Sequence, residues 1–209
     1  MTARGDTERE IRLILEREAR AIKDIPVTGS YREVVELIHE RVHGKGGKVI
    51  ASGMGKAGHV ANHIATTFSS TGTPALFLHP SEAQHGDLGV IRQNDLLLVL
   101  SNSGKTREIL ELVDLSNALH PGIPVVIITG NPDGPLARQS KHVLYTGGPE
   151  EVCPLGLTPT TSATTMAVMG DVLVVLMMKR IGFTPLDYAR RHHGGYLGQK
   201  SRGKGHADQ

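Results

Sequence analysis

The chain has 209 residues, which is enough for one sizeable α/β core and short for two. Its formal net charge of +2, the absence of tryptophan and an aromatic content of 3% argue against a nucleic-acid-binding surface and against stacking platforms for planar cofactors. The single cysteine, Cys153, excludes a disulfide within the chain, and residues 1–10 lack the apolar stretch of a secretory signal, so we expect a cytoplasmic protein.

Two helices are predicted at the start of the chain. Apolar residues recur at helical spacing over 7–22 and again over 31–43, and a cluster of glycines follows the second stretch. We therefore expect residues 1–45 to form N-terminal helices that pack on the core.

Five short apolar runs follow, and most of them end at Gly or Ser before a helical stretch. Continuous hydrophobicity is typical of strands that are covered on both faces. Strands that alternate with helices imply right-handed crossovers. The sequence therefore predicts an α/β fold over 46–199, with a doubly wound five-stranded parallel sheet flanked by helices in a three-layer sandwich of the flavodoxin or Rossmann kind. The predicted strands are 48–52, 75–79, 95–101, 124–129 and 142–146.

The last third of the chain adds a long helix over 162–180 and a shorter one over 185–191. The longest apolar run, 166–178, is interrupted by a glycine and an aspartate and is too short to span a bilayer. Residues 200–209 are basic and rich in glycine, so we expect a disordered tail there.

The first candidate site is the loop 53–58, Gly-Met-Gly-Lys-Ala-Gly, directly after the first predicted strand. It fits the dinucleotide pattern G-x-G-x-x-G, and Glu82 follows after the next strand. Lys56 in the middle of the loop is unusual where a backbone should approach a pyrophosphate. We favour a small anion or a sugar hydroxyl as its ligand and keep a nicotinamide dinucleotide as the alternative.

The second candidate site is the loop 101–106, Ser-Asn-Ser-Gly-Lys-Thr, after the third predicted strand. It resembles the end of a Walker A loop, but that motif requires Gly where this chain has Val99, so a triphosphate site is excluded. Short hydroxyls and free N–H groups at a helix N-terminus favour an anion. The hydroxyls could alternatively only cap the helix. Three of them around a glycine favour a phosphate ligand.

Five separated segments, in this order along the chain, carry a family resemblance: 53–59, 79–89, 101–106, 153–156 and 192–198. The set resembles the sugar isomerase (SIS) domain family and, within it, the arabinose-5-phosphate isomerases. These enzymes interconvert D-ribulose 5-phosphate and D-arabinose 5-phosphate. Their product feeds the synthesis of Kdo, an acid sugar of lipopolysaccharide and of some capsules. The resemblance extends over residues 21–200.

The resemblance implies a set of functional residues. The reaction moves a proton between C1 and C2 through an enediol, so it needs a base, a group that stabilises charge on oxygen, and acid/base groups for ring opening. Glu108 or Glu151 would be the base and Lys56 would stabilise the enediolate, while His85 and His192 would open the ring and shuttle protons. The residues implied to bind substrate are Ser52, Gly53, Gly55, Glu82, Ser101, Asn102, Ser103 and Thr106.

Without the resemblance, these residues have ordinary explanations. Glu108 would be an acid favoured by a helix dipole, and Glu151 a solvated loop carboxylate. The histidines and acids over 79–87 match no standard zinc spacing, so we expect no metal and no cofactor.

The resemblance also bears on partners and domains. Family members commonly carry two CBS modules after this domain, whereas this chain ends soon after residue 200, so we expect a single-domain form. His193 stands where the family more often has proline. A homotetramer is implied, with His192 reaching a neighbouring subunit's site and the 162–180 helix packed between subunits. No nucleic-acid or membrane partner is expected.

Two alternatives remain open. One is a related isomerase acting on sedoheptulose 7-phosphate or a hexulose 6-phosphate. The other is a non-catalytic protein that senses sugar phosphates; such regulators carry an N-terminal helix-turn-helix domain, for which the roughly forty residues before the first strand are few.

Overall fold

Five parallel strands form the centre of the computed structural model, which describes residues 3–193, with side chains from residue 6 onward. The strands lie in the order β2-β1-β3-β4-β5, and every neighbouring pair is parallel. The predicted α/β fold with a doubly wound five-stranded sheet is confirmed, and each strand falls within a residue or two of its predicted span. The predicted tail over 200–209 and residues 194–198 of the last motif lie outside the described residues. The strands are β1 (Val49–Gly53), β2 (Ala75–Phe77), β3 (Leu96–Leu100), β4 (Val125–Thr129) and β5 (His142–Tyr145).

Seven α-helices surround the sheet in the described part of the chain. The prediction of one helix over 31–43 corresponds to α2 followed by a π-helical turn, His39–Gly44, and two short 3₁₀ turns lie at Asp87–Val90 and Ala137–Gln139. The α-helices are α1 (Ala3–Lys23), α2 (Ser30–Ile38), α3 (Gly55–Ser70), α4 (Pro80–Ala83), α5 (Arg107–Leu119), α6 (Thr161–Arg180) and α7 (Pro185–Arg191).

The core consists of two layers, one on each face of the sheet. Successive side chains of a strand point to opposite faces, and β3 follows this rule. Leu96, Leu98 and Leu100 pack against α2, α3 and α6. Leu97 and Val99 pack on the other face, against α5. The three central strands β1, β3 and β4 are buried along their whole length, which explains why their sequences are continuously apolar.

The apolar run 166–178 is too short to span a bilayer, but the helix that contains it, α6, has 20 residues. By length and composition alone, α6 could cross a membrane. About half of its most apolar stretch is buried inside the protein, however. Met169 and Leu173 are fully buried in the core beside α3. A helix in the core of a domain can be equally long and apolar, and the burial of α6 indicates that it is such a core helix.

The order of the strands reverses between β1 and β3. From β1 the chain continues outward to β2, and from β3 it continues in the other direction to β4. In parallel sheets, ligands bind at the carboxyl ends of the strands where this reversal occurs, because the two following loops diverge there. The loops after β1 and β3 are the two candidate sites.

The first turn of α3 packs directly on the end of β1. A Cβ atom on Gly58 would lie 2.6 Å from the carbonyl oxygen of Gly53, closer than any real Cβ contact. The glycine at position 58 therefore allows the helix to begin immediately beside the strand, which is the role of the third glycine in dinucleotide-type loops.

We expect Gly58→Ala to lower the free energy of unfolding by about 1–3 kcal/mol, because backbone must move to admit the methyl group. This loss should appear although alanine is intrinsically the better helix former by about 1 kcal/mol. Urea denaturation measures it. Gly89→Ala is the matched control, since an added Cβ there meets nothing within 4 Å, and its effect should stay below about 0.5 kcal/mol. Equal stability of the two variants would contradict the close approach.

Candidate active site

A cavity of about 380 Å³ lies at the carboxyl ends of β1 and β3. It brings together the two candidate loops and the start of α6, three segments that are far apart in the sequence. Six of its lining residues are predicted site residues: Gly55, Lys56, Ser101, Asn102, Ser103 and Thr106. The other lining residues were not predicted from the sequence: Met54, Ala57, Leu100, Pro159, Ser162, Ala163 and Met166.

The first loop places a lysine at the beginning of a helix. Met54 is extended, Gly55 turns the chain with a φ of +56°, and α3 begins at that glycine. A positive φ is strained for residues that carry a Cβ, so glycine suits this position. Lys56 follows in the first helical turn with an exposed side chain. Among the described residues it has no carboxylate partner, which leaves its ammonium group available to a ligand.

The second loop holds its hydroxyls in a defined arrangement. Ser101 Oγ and Thr106 Oγ1 are 2.9 Å apart, and the N–H of Lys105 donates to Ser103 Oγ at 3.2 Å. Thr106 is the N-cap residue of α5, yet its side chain makes no capping hydrogen bond. The structure therefore does not support the alternative that these hydroxyls serve only to cap α5. The helix N-terminus remains able to donate to an anion.

Glu151 holds the start of α6, although it does not line the cavity. Its carboxylate accepts hydrogen bonds from the N–H and hydroxyl of Thr160, at 2.7 and 2.9 Å, and from the N–H of Ser162 at 3.2 Å. The hydroxyl of Ser162 is a fourth donor. Burial disfavours the charged form, but these hydrogen bonds outweigh it and hold the pKa of Glu151 below its usual range.

Helix α1 fixes the same segment from the other side. Thr161 Oγ1 donates to Glu18 Oε1 at 2.9 Å and accepts from the N–H of Val152 at 3.1 Å. Arg17 donates to the backbone carbonyl of Glu151 at 3.2 Å. Ser162 is therefore held in the cavity wall by contacts from both sides.

Two residues predicted to bind substrate have structural contacts instead of a place in the cavity wall. The hydroxyl of Ser52 is fully buried and donates to the carbonyl of Leu78 at 2.6 Å, which connects β1 to the end of β2. Gly53 provides the close approach to α3 described above. Ser52 and Gly53 are the last two residues of β1, so their contacts help to position the loop that follows the strand.

Four other predicted residues lie outside the cavity of a single chain. Glu82 and His85 are exposed on the turn after β2, and Glu108 is half-buried in the first turn of α5. His192 lies at the end of α7, where its Nδ1 donates to the carbonyl of Tyr188 at 3.0 Å and its ring stacks on the Tyr188 ring at 3.7 Å. One chain thus brings together the 101–106 loop and Lys56 but not the two histidines.

Within residues 3–193, no group of three or more His, Cys, Asp or Glu side chains is placed to hold a metal ion. This includes the stretch 79–87, where the sequence concentrates such residues.

The fold, the cavity and the sequence together define a class of protein. The SIS domain family model matches residues 43–176. The chain therefore belongs to the SIS domain family, as the five motifs predicted.

Within the SIS domain family, the chain is similar to curated arabinose 5-phosphate isomerases. The arabinose 5-phosphate isomerase KdsD of Shigella flexneri is 44% identical over 188 residues, covering 90% of this chain and 56% of that protein. The chain thus spans about half the length of the curated relatives it matches, from 47% to 56%.

Two solved structures are also similar. A Bacteroides fragilis protein, described as a phosphosugar isomerase involved in capsule formation, is 59% identical with a TM-score of 0.90, over 91% of this chain and 99% of that one. Escherichia coli CFT073 c3406, in complex with arabinose 5-phosphate, is 29% identical with a TM-score of 0.84, over 92% and 100% of the two chains.

The contacts of Glu151 predict a pH-dependent contribution to stability. Its pKa is lower in the folded state than the ordinary value of about 4.3, so the ionised group stabilises the fold at neutral pH, and this contribution is lost as the pH falls through the folded pKa. Glu151→Gln should therefore lower the free energy of unfolding by about 1–3 kcal/mol at pH 7. The difference from the wild type should shrink as the pH falls below the ordinary glutamate pKa of about 4.3.

Chemical denaturation across this pH range tests the expectation. Glu150→Gln is the matched control, because Glu150 is the exposed neighbouring carboxylate. A deficit of Glu151→Gln that is the same at pH 7 and at low pH would contradict the capping role.

Proposed function

We propose that the chain is an aldose–ketose isomerase that interconverts D-ribulose 5-phosphate and D-arabinose 5-phosphate through an enediol. The observation that carries the proposal is the cavity in which Lys56 meets the 101–106 loop. The KdsD relatives and the complex of c3406 with arabinose 5-phosphate support this substrate. The enzyme would be cytoplasmic and would supply Kdo synthesis.

The 101–106 loop would bind the phosphate of the substrate. Hydrogen bonds from its hydroxyls and from the N-terminus of α5 to a phosphate dianion are charge-assisted and therefore strong. Their binding energy acts far from C1 and C2, so it can orient the reacting carbons rather than take part in the chemistry.

Lys56 would stabilise the negative charge that develops on the carbonyl oxygen in the enediolate. A fixed cation beside a developing oxyanion lowers the barrier most where water is excluded. Lys56 and the 101–106 loop line the same cavity, so a five-carbon sugar held by its phosphate at the loop would keep its reacting end, C1 and C2, within the cavity that Lys56 lines.

Of the two carboxylates, Glu108 is the better candidate for the base. A carboxylate base works best when its pKa is raised toward the working pH, whereas hydrogen bonds lower the pKa of Glu151. Glu108 lies two residues beyond Thr106, which lines the cavity. In this proposal Glu151 acts through α6 by holding Ser162 in place.

The active sites would be shared between the subunits of a homotetramer. His85 and His192, proposed for ring opening and proton transfer, would then approach the cavity from neighbouring subunits. Apolar side chains on the outer faces of α1 and α6 support such packing: Ile11 and Leu15 are 52% and 63% exposed, and Val175 is 48% exposed. Neighbouring subunits would cover them.

The substrate assignment predicts product formation without added metal. The protein, incubated with ribulose 5-phosphate and EDTA, should yield arabinose 5-phosphate, detected by chromatography against authentic standards. Activity on a hexulose or heptulose phosphate in place of the pentulose would overturn this substrate. Binding of these sugar phosphates without turnover of any of them would indicate a sensor instead of an enzyme.

The proposed roles predict separable kinetic effects. Ser103→Ala should raise KM about tenfold with little change in kcat, because it removes a charge-assisted hydrogen bond to the phosphate. Lys56→Ala should lower kcat by about 10²- to 10³-fold, as expected for loss of a group that stabilises the transition state, and Glu108→Gln should also act mainly on kcat. Lys141→Ala, an exposed lysine next to β5, is the control for loss of charge. If all three variants change only KM, this division of roles is wrong.

A further inference from the structure

Four consecutive backbone carbonyls of the 101–106 loop are occupied by donors from the protein. The carbonyl oxygens of residues 101–104 each accept at least one hydrogen bond. The Thr129 hydroxyl donates to the Asn102 carbonyl at 3.4 Å, and three of the other four donors belong to the segment 130–136 that follows β4. The bonds are Gly104 N–H to Ser101 at 3.2 Å, Gly130 N–H to Asn102 at 3.1 Å, Asn131 Nδ2 to Ser103 at 2.9 Å and Leu136 N–H to Gly104 at 3.1 Å.

This arrangement determines which backbone groups a phosphate can meet. A peptide unit is planar and trans, so the C=O of one residue and the N–H of the next point in opposite directions. Because the Asn102 carbonyl is directed at Gly130, the Ser103 N–H points away from the 130–136 segment. In the described part of the chain that N–H has no protein acceptor. Ser103 and Asn102 both line the cavity, so the loop offers donors there.

Asn131 is the only one of these three donors from 130–136 that acts through a side chain, so it can be changed without altering the backbone. Its own backbone is held at both ends: its N–H donates to Thr129 Oγ1 at 3.1 Å, and its carbonyl accepts from the N–H of Gly134 at 3.2 Å. The amide is thereby aimed at the Ser103 carbonyl. Asn131 itself does not line the cavity.

We propose that Asn131 is a positioning residue for phosphate binding, which keeps the Ser103 carbonyl turned away from the anion. Without it, only the bond from the Gly104 N–H to the Ser101 carbonyl holds this peptide unit, so the unit is easier to rotate. A carbonyl oxygen that turned toward the phosphate would repel it. The inference rests on the proposed function in one respect, that the 101–106 loop holds the phosphate of the substrate. It adds a determinant of affinity that makes no contact with the substrate.

Two variants test the proposal on the full chain. Asn131→Asp keeps the shape of the side chain but replaces the donor with a negatively charged acceptor, and Asn131→Ala removes the side chain. We expect the Ala variant to weaken binding of inorganic phosphate about fivefold, as for the loss of one net hydrogen bond, and the Asp variant to weaken it more. KM for ribulose 5-phosphate should rise in parallel, with kcat within about twofold of the wild type.

Calorimetric titration with inorganic phosphate and steady-state kinetics provide the two measurements. Asn117→Ala is the matched control: Asn117 Oδ1 also supports a backbone turn, by accepting from the N–H of Gly122 at 3.1 Å, but it lies near the far end of α5. It should leave phosphate affinity unchanged even where its melting temperature falls as far as that of Asn131→Ala. A purely structural role of Asn131 would lower stability without this split between KM and kcat.

The result that overturns the proposal is phosphate affinity within about twofold of the wild type in both Asn131 variants. Failure of the proposed isomerase function can be distinguished from failure of the proposed role of Asn131. A wild-type protein that binds phosphate but does not isomerise ribulose 5-phosphate would overturn the proposed function, and the phosphate titrations would still support or overturn the role of Asn131.

Discussion

The parallel pairing of β1 with β3 is the constraint on which the rest of the structure depends. At the amino ends of these strands, the buried carboxylate of Asp95 accepts from the N–H and the ammonium group of Lys48, at 2.9 and 2.7 Å, and this fixes their register. At the carboxyl ends the chain leaves in opposite directions. Helix α3 packs on one face of the sheet and α5 on the other. The cavity between their N-termini is a consequence of that divergence.

The walls of the cavity are held by polar contacts that come from outside it. Glu151 and Glu18 hold the start of α6, and the segment after β4 occupies the carbonyls of the phosphate loop. The proposed sugar phosphate substrate is small and flexible, and its orientation would gain from such preorganisation, because groups that are already in place do not have to be ordered when a ligand binds. Lys56 differs from these groups, since its exposed ammonium is left for the ligand.

The division between a complete phosphate site and distant histidines has a functional meaning under the proposed mechanism. Binding of the phosphate would be a property of one chain, whereas ring opening and proton transfer would require neighbouring subunits. Assembly would then control catalysis while leaving phosphate affinity unchanged. The exposed apolar residues of α1 and α6 would form the subunit contacts on which catalysis depends.

The sequence alone determined the fold class, because it depends on a local pattern: continuous apolar strands that end at Gly or Ser. It also selected the 101–106 loop, from hydroxyls at a helix start, and Lys56, from its place between glycines, and the structure brings these residues to one cavity. Only the tertiary structure decided that Ser162 and Met166 join the cavity, since a helix start in the sequence does not reveal which end of the sheet it meets. The capping role of Glu151 depends on partners nine and eleven residues away, and the Asn131 contact spans 28 residues. The Asn131 contact follows from the pairing of β3 with β4, and the Glu151 contacts follow from the path of the chain between β5 and α6, neither of which a local pattern encodes.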